Sequence, residues 1–325
     1  MTDVMDDPFA SASGSGGRRS HPAALELAQM AMERDDIVLL AADLGKGPLG
    51  AAFIHHHPER FFDFGIAEAN SLSAAAGMAA CGLKPFVIEM SCFSALKCAE
   101  IIRNDMAFPK MPVRILSSLP GLALGYFGTS HHAVEDIAIT RSITNLLVVA
   151  PSDANSTRAL LRATLDHDGP VYFRLMAGGD IETHPDGPPA VEIGRFPVLH
   201  RGDDLTIIGT GMGAGLALAA ARELAAEGIR ATVLDALFLK PMDEDAIAAS
   251  AATTGRVLTV EEHNVVGGLG TAVAEVLARR RIPAALHIHG LPDEDLAVAT
   301  PPVLYRHYGL TVEAVAAQAR ALIQA

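Results

Sequence analysis

Residues Phe61–Phe93 read FFDFGIAEANSLSAAAGMAACGLKPFVIEMSCF. A pattern of small residues at helical spacing over 66–80 gives way to a short apolar run over 85–90, and one carboxylate, Glu68, stands among glycines and small apolar residues. Short continuous apolar runs alternating with helical patterns indicate a parallel sheet covered on both faces. The same grammar extends outward. Leu25, Ala28 and Met32 recur at helical spacing before the apolar run 37–40. Further strands are predicted at 112–117, 146–150 and 171–175, and further helices at 93–107, 133–141 and 153–166. Desolvation in such surroundings would raise the pKa of Glu68 and let it share a proton with a partner at neutral pH. The competing explanation is that an acidic residue in a first helical turn satisfies the helix dipole and needs no further role.

Residues 180–190, DIETHPDGPPA, are rich in proline, glycine and charge and read as a linker. Beyond them strands are predicted at 205–209, 231–235, 256–260 and 284–288, with helices near 213–227, 243–252 and 268–279 and a last helix from Thr311 to the end. The expected fold is α/β: two consecutive domains, 20–179 and 191–325, each a mostly parallel sheet flanked by helices. Residues 1–19 are small, polar and Gly/Ser-rich, and are expected to form a disordered tail.

A length of 325 residues suits two cores. The net charge of −13 argues against nonspecific binding to nucleic acid or to anionic membranes. No uncharged apolar run approaches the roughly 20 residues that span a bilayer, and the first residues lack the layout of a signal peptide, so a cytoplasmic protein is expected. Cys81, Cys92 and Cys98 are odd in number and lack metal-site spacing; buried thiols are expected, and no metal set is assigned to the chain.

GTGMGAG, Gly209–Gly215, with Asp235 downstream, resembles a dinucleotide fingerprint, but its glycine spacing fails and a tight strand-to-helix turn is the simpler reading. His55, His56 and His57 precede Pro58 in what reads as a solvated loop. His131 and His132 follow the glycine-rich and aromatic stretch Gly121–Ser130, a composition suited to close approach to a ligand. Glu68, Phe93, His131 and Arg174 each fall near a strand end or a helix start, where parallel sheets gather ligands.

In order along the chain, the motifs are Ala42-Asp43-Leu44, Phe64-Gly65-Ile66-Ala67-Glu68, Ala76-Gly77-Met78-Ala79, Ser91-Cys92-Phe93, Gly128-Thr129-Ser130-His131-His132 and Ala150-Pro151-Ser152-Asp153. Leu239-Lys240-Pro241-Met242-Asp243 and Val260-Glu261-Glu262-His263 follow. This succession resembles the C-terminal half of transketolases, from about residue 21 to 325, and the second subunit of split transketolases. It is similar, more distantly, to portions of 1-deoxyxylulose-5-phosphate synthase and of 2-oxo-acid dehydrogenase β subunits. The resemblance implies a pyrimidine-binding domain followed by a transketolase C-terminal domain, with thiamine diphosphate as cofactor and Mg²⁺ beside it. It implies transfer of a two-carbon ketol unit from a ketose to an aldehyde acceptor, the cofactor acting as electron sink.

By that resemblance Glu68 hydrogen-bonds ring nitrogen N1′ of the aminopyrimidine, Phe93 stacks on that ring, and Ile66 and Asp43 lie beside the cofactor. His131 contacts donor and acceptor hydroxyls, and Arg174 holds an acceptor phosphate. Phe127, on the substrate side, stands where the family has an aspartate; Gly47 and Leu119 replace a phosphate-contacting serine and a histidine, and Leu96 and Ala99 replace aromatic residues. These departures imply a less polar or unusual acceptor. The GDG motif that holds the diphosphate and Mg²⁺ in transketolases is absent from the sequence. The expected partner is therefore a separate diphosphate-binding subunit, in an α₂β₂ heterotetramer with the cofactor at the interface. Acyloin synthesis or 2-oxo-acid decarboxylation on the same cofactor, and a noncatalytic scaffolding role, are the alternatives.

Overall fold

The computed structural model describes residues 21–45, 47–176 and 181–324. The predicted tail 1–19 and the first residue of the predicted linker lie outside these.

The chain opens with α1 (Pro22–Glu33), whose first turn is capped by the His21 ring accepting from the Ala23 amide at 3.1 Å. It continues through β1 (Ile37–Ala41), α2 (Ala51–His56), β2 (Phe61–Asp63), α3 (Glu68–Ala80) and β3 (Lys84–Met90). Wide π-type turns, Phe93–Lys97 and Ile102–Ala107, flank the short α4 (Ala99–Ile101). There follow β4 (Arg114–Ser118), the 3₁₀ segment Gly125–Ser130, α5 (Asp136–Ser142), β5 (Leu147–Val149), α6 (Ala154–Thr164) and β6 (Val171–Leu175). The rest comprises β7 (Val198–His200), β8 (Leu205–Gly209), α7 (Met212–Ala225), β9 (Ala231–Asp235), β10 (Phe238–Lys240), α8 (Glu244–Thr254) and β11 (Arg256–Asn264). It ends with α9 (Leu269–Arg280), β12 (Ala285–Leu291), α10 (Pro301–His307) and α11 (Val312–Gln324).

Two sheets result. The first has the order β10-β5-β6-β4-β3-β1-β2 and the second β12-β11-β8-β9-β7. Every pairing is parallel except β10 with β5 and β7 with β9. β1, β4, β5, β6 and β8 are buried along their whole length, which is why they read as mostly apolar runs, and the polar residues in them, such as Arg114 on β4 and Arg174 on β6, are buried as well. β10 departs from the expectation of self-contained sheets: it belongs to the second half of the sequence yet extends the first sheet, so one apolar core runs through both.

Several motifs have local structural causes. Asp153 closes a capping box on α6, accepting from the Ser156 amide at 2.7 Å while the Ser156 hydroxyl accepts from the Asp153 amide at 2.9 Å. Asp243 caps α8 through the Ala246 amide at 3.0 Å. GTGMGAG is a strand-to-helix turn: Gly211 has φ +54, and a Cβ on Gly213 would lie 2.2 Å from the Val260 carbonyl oxygen. Asp235 is fully buried and accepts from the Ser152 hydroxyl at 2.5 Å and the His184 ring at 2.9 Å. The histidine run does not form the expected loop: His55 and His56 close α2, and His57 pairs with Arg60. Cys92 and Cys98 are buried as expected, and burial pushes both thiols up to about 11, but Cys81 is exposed.

Candidate functional site

β1 is the switch point of the first sheet, because the chain leaves it for β2 on one side and then crosses to β3 on the other. Loops after neighbouring strands diverge at such a point and leave a crevice at the carboxyl ends. A cavity of about 290 Å³ occupies that place, lined by Asp43, Ile66, Glu68, Glu89, Phe93 and His131 together with Ala42, Leu44 and Met90.

Each side chain arrives there for a local reason. Asp43, just past β1, has φ +61, and its amide donates to Asp63 Oδ1 at 3.1 Å, the same oxygen that takes the Gly65 amide at 2.9 Å. Asp63 thus ties the ends of β1 and β2 together and aims the Gly65–Glu68 turn. Glu68 is the first residue of α3, where the free amides of the helix favour a negative charge. Phe93 follows β3, and its ring meets the His131 ring edge-on at 5.4 Å and 73°. Phe127 also packs on His131, at 4.7 Å and 32°, and the Tyr126 ring lies 4.6 Å from that of Phe127. The His131 Nδ1 shares a hydrogen bond of 2.9 Å with the Ser130 hydroxyl.

The electrostatics differ from the sequence expectation. The Glu68 side chain is only 6% exposed, and burial pulls its pKa upward. The Lys97 ammonium, 2.7 Å from Oε2, together with the local backbone outweighs burial and leaves the carboxyl below its ordinary value. Glu68 is a carboxylate in this chain. The elevated pKa belongs instead to Glu89, near the end of β3. It is fully buried, and neither carboxylate oxygen has a hydrogen-bond partner among the described residues. Burial and the negative charge of Glu68 push it up to about 8, against smaller downward pulls from Ser71 and Lys97.

Glu68, Phe93, His131, Ile66 and Asp43 therefore converge, and Phe127 packs on the group from its exposed side. Arg174 does not join them. It is 3% exposed on β6, its Nε held by Asp136 at 2.9 Å and its Nη2 by the carbonyls of Ala133 at 3.3 Å and Glu262 at 2.8 Å. A buried guanidinium held in this way joins the two sheets through its Nε and Nη2. Sequence reasoning missed Glu89 and Lys97. The available signal was a carboxylate interrupting the apolar run PFVIEM.

Leu44 also borders an adjoining chamber of about 150 Å³, walled by Gly47, Leu49, Ile88, Leu119 and Met176. A larger open groove of about 600 Å³ lies elsewhere, between α8, α9 and the 192–195 turn. Its charges are engaged with one another, as Arg195 with Asp243, Arg279 with Glu244 and Arg141 with Glu275, so it offers little free chemistry.

Comparison with known proteins matches residues 22–177 to the transketolase pyrimidine-binding domain and residues 194–315 to the transketolase C-terminal domain. A chain of Methanocaldococcus jannaschii named as a transketolase C-terminal section is 38% identical over 291 residues, covering 89% of this chain and 91% of that one. An apulose-4-phosphate transketolase subunit of Phocaeicola vulgatus is 35% identical over 89% of this chain and 92% of its own. A 1-deoxy-D-xylulose-5-phosphate synthase of Heliobacterium modesticaldum is 37% identical over 92% of this chain, which spans 46% of that enzyme. Among solved structures, a split-gene transketolase in an inactive β4 tetramer superposes with a TM-score of 0.84 at 39% identity, over 93% of this chain and 97% of that one. With its switch-point cavity and both domains matched in sequence and fold, the chain belongs to the transketolase family.

Proposed function

We propose that the chain is the pyrimidine-binding subunit of a thiamine diphosphate-dependent transketolase-like enzyme, completed by a separate subunit that supplies the diphosphate site and the Mg²⁺ ligands. The observation that carries this reading is the convergence of Glu68, Phe93 and His131 on one cavity at the sheet's switch point. The cavity suits one end of such a cofactor. It offers a carboxylate at a helix start for a ring nitrogen, an aromatic ring for a flat heterocycle to lie against, and a buried polar group without a partner. When bound, the cofactor supplies an electron sink for breaking and making carbon–carbon bonds.

The residues' own tasks follow from their placement. Glu68 holds a hydrogen bond to the ring nitrogen, Phe93 and Ile66 exclude water from the ring, and Asp43 sits beside them on a strained, clamped backbone. His131, in contact with Phe93 and Phe127 and oriented by Ser130, faces substrate hydroxyls. Ile66 is 79% exposed, Phe127 56% and Tyr126 53%, which suits a rim covered by a partner chain. An α₂β₂ assembly accommodates such a rim.

A second reading, toward 2-oxo acids or other acceptors of low polarity, is favoured by the adjoining chamber with Gly47 and Leu119 in its wall. Co-expression with a diphosphate-binding partner, followed by assays with ketose donors and with 2-oxo acids, separates the two. Turnover of 2-oxo acids alone would overturn the ketol-transfer assignment. Glu68→Gln in the assembled enzyme is expected to lower turnover at least a hundredfold while assembly persists. Undiminished turnover would remove Glu68 from the mechanism.

A further inference from the structure

Glu89 is a buried carboxyl group in the cavity wall to which the proposed function assigns no chemical step. Its position is unusual in the first sheet: β3 is otherwise apolar from Pro85 to Ile88, and Glu89 pairs in register with Ser117 of β4 inside the core. Ser71 on α3, which packs over β3, is likewise buried with its hydroxyl unpaired. An isolated buried carboxylate without hydrogen bonds is strongly disfavoured, whereas the neutral acid costs far less. The charged or titratable groups facing Glu89 are Glu68 on α3, Lys97 and Cys98 on the turn after β3, and Asp43 and His131 across the cavity.

We infer that Glu89 is a positioning residue that stores a proton for Glu68: the two carboxyl groups hold one proton between them, and Glu89 releases it when Glu68 must act as a hydrogen-bond donor. The inference rests on the cofactor reading of the same cavity. In the free chain Glu68 is a carboxylate satisfied by Lys97, and a carboxylate can only accept. A ring nitrogen with a lone pair requires a donor opposite it. Filling the cavity expels its water and strengthens the desolvation that already acts on Glu68. The O–H bond of Glu89 then breaks, an O–H bond forms on Glu68, and the negative charge passes from Glu68 to Glu89, where the Ser71 hydroxyl and the Lys97 ammonium, which both draw its pKa down, offset part of the cost of a buried carboxylate. The return step restores both groups, so no external proton is consumed.

The full chain without cofactor, labelled with [δ-¹³C]glutamate, can be titrated by ¹³C NMR. One carboxyl is expected to titrate at about 8, to vanish in Glu89→Gln, and to move downward in Glu68→Gln because the charge beside it is gone. The absence of such a group, or a midpoint unmoved in Glu68→Gln, would overturn the shared proton independently of any catalytic assignment. In the enzyme assembled with its partner, Glu89→Gln is expected to slow C2–H exchange of the cofactor by at least tenfold near neutral pH, with KM little changed and the pH profile altered. If Glu68→Gln is inactive while Glu89→Gln keeps the wild-type rate and pH profile, the proton-storage role is refuted. If Glu68→Gln keeps full activity, the cofactor reading fails instead, and proton storage for it fails with it.

Discussion

Glu89 governs a stability effect that can be read without any ligand. Its pKa is about 8 in the folded chain against an ordinary 4.5, so between those values the native state holds a proton that the unfolded state has lost. Stability from this group is fully present below about pH 4.5 and is lost as pH rises toward 8. Glu89→Gln should remove that loss. Thermal melts are expected to show a small difference from wild type near pH 4.5 and a clear stabilisation of the variant near pH 9, where the native carboxylate costs several kcal/mol. Equal melting shifts at both pH values would show that Glu89 is not buried as an acid. Lys97 carries the complementary prediction. Lys97→Met leaves only the local backbone to oppose burial at Glu68, so its carboxyl should titrate higher than in the wild-type chain by ¹³C NMR. Neither effect was legible from the sequence. Glu68 was recognisable by its glycine-rich setting, but the sign of its shift depends on a lysine that lies 29 positions away and is brought near only by the turn after β3.

The secondary-structure elements were more legible than the site. Parallel strands of this kind are mostly apolar runs, and their predicted positions fall on β1, β3, β4, β5, β6, β8, β9, β11 and β12. The strands that escaped notice, β2, β7 and β10, are three residues long and are defined by the neighbour they pair with rather than by a pattern of their own, and the short helices α2 and α10 were missed as well. The predicted helix over 93–107 is instead a run of wide turns around a three-residue α-helix, a difference that helical periodicity does not resolve. Two glycine substitutions test whether elements are limited by packing or by propensity. Gly77 lies exposed within α3 with no atom near an added Cβ, so Gly77→Ala should stabilise the chain by about 0.5–1 kcal/mol. Gly213→Ala would press a methyl group onto the Val260 backbone and force α7 away from β11. A loss of about 1–3 kcal/mol is expected, measurable by denaturant unfolding.

At the scale of the molecule, the two sheets are joined by a polar knot at Arg174. Asp136, 1% exposed, takes its Nε, and the Glu262 carbonyl of β11 takes its Nη2. Glu262 in turn accepts from the Leu122 amide at 2.8 Å and from the Tyr305 hydroxyl of α10 at 2.9 Å. The knot therefore links α5, β6 and β11 to the segment that leads to His131, and a Cβ on Gly121 would strike the Glu262 carboxyl at 2.2 Å. The sequence resemblance assigns Arg174 to an acceptor phosphate, and the two roles predict opposite results. If Arg174 is the interdomain clamp, Arg174→Ala leaves Asp136 charged and buried with no cation beside it, only the Tyr172 hydroxyl at 3.2 Å. It should destabilise the chain by about 3–5 kcal/mol, with early proteolysis within 181–197 as the second domain loosens. Asp136→Asn combined with Arg174→Met should recover part of that loss, because neither charge is then stranded. If Arg174 serves a phosphate, thermal stability should be unchanged while KM for a phosphorylated acceptor rises and that for an unphosphorylated one does not. Melting curves and acceptor kinetics on the same variant decide between them, and the buried guanidinium, held through Nε and Nη2, favours the clamp.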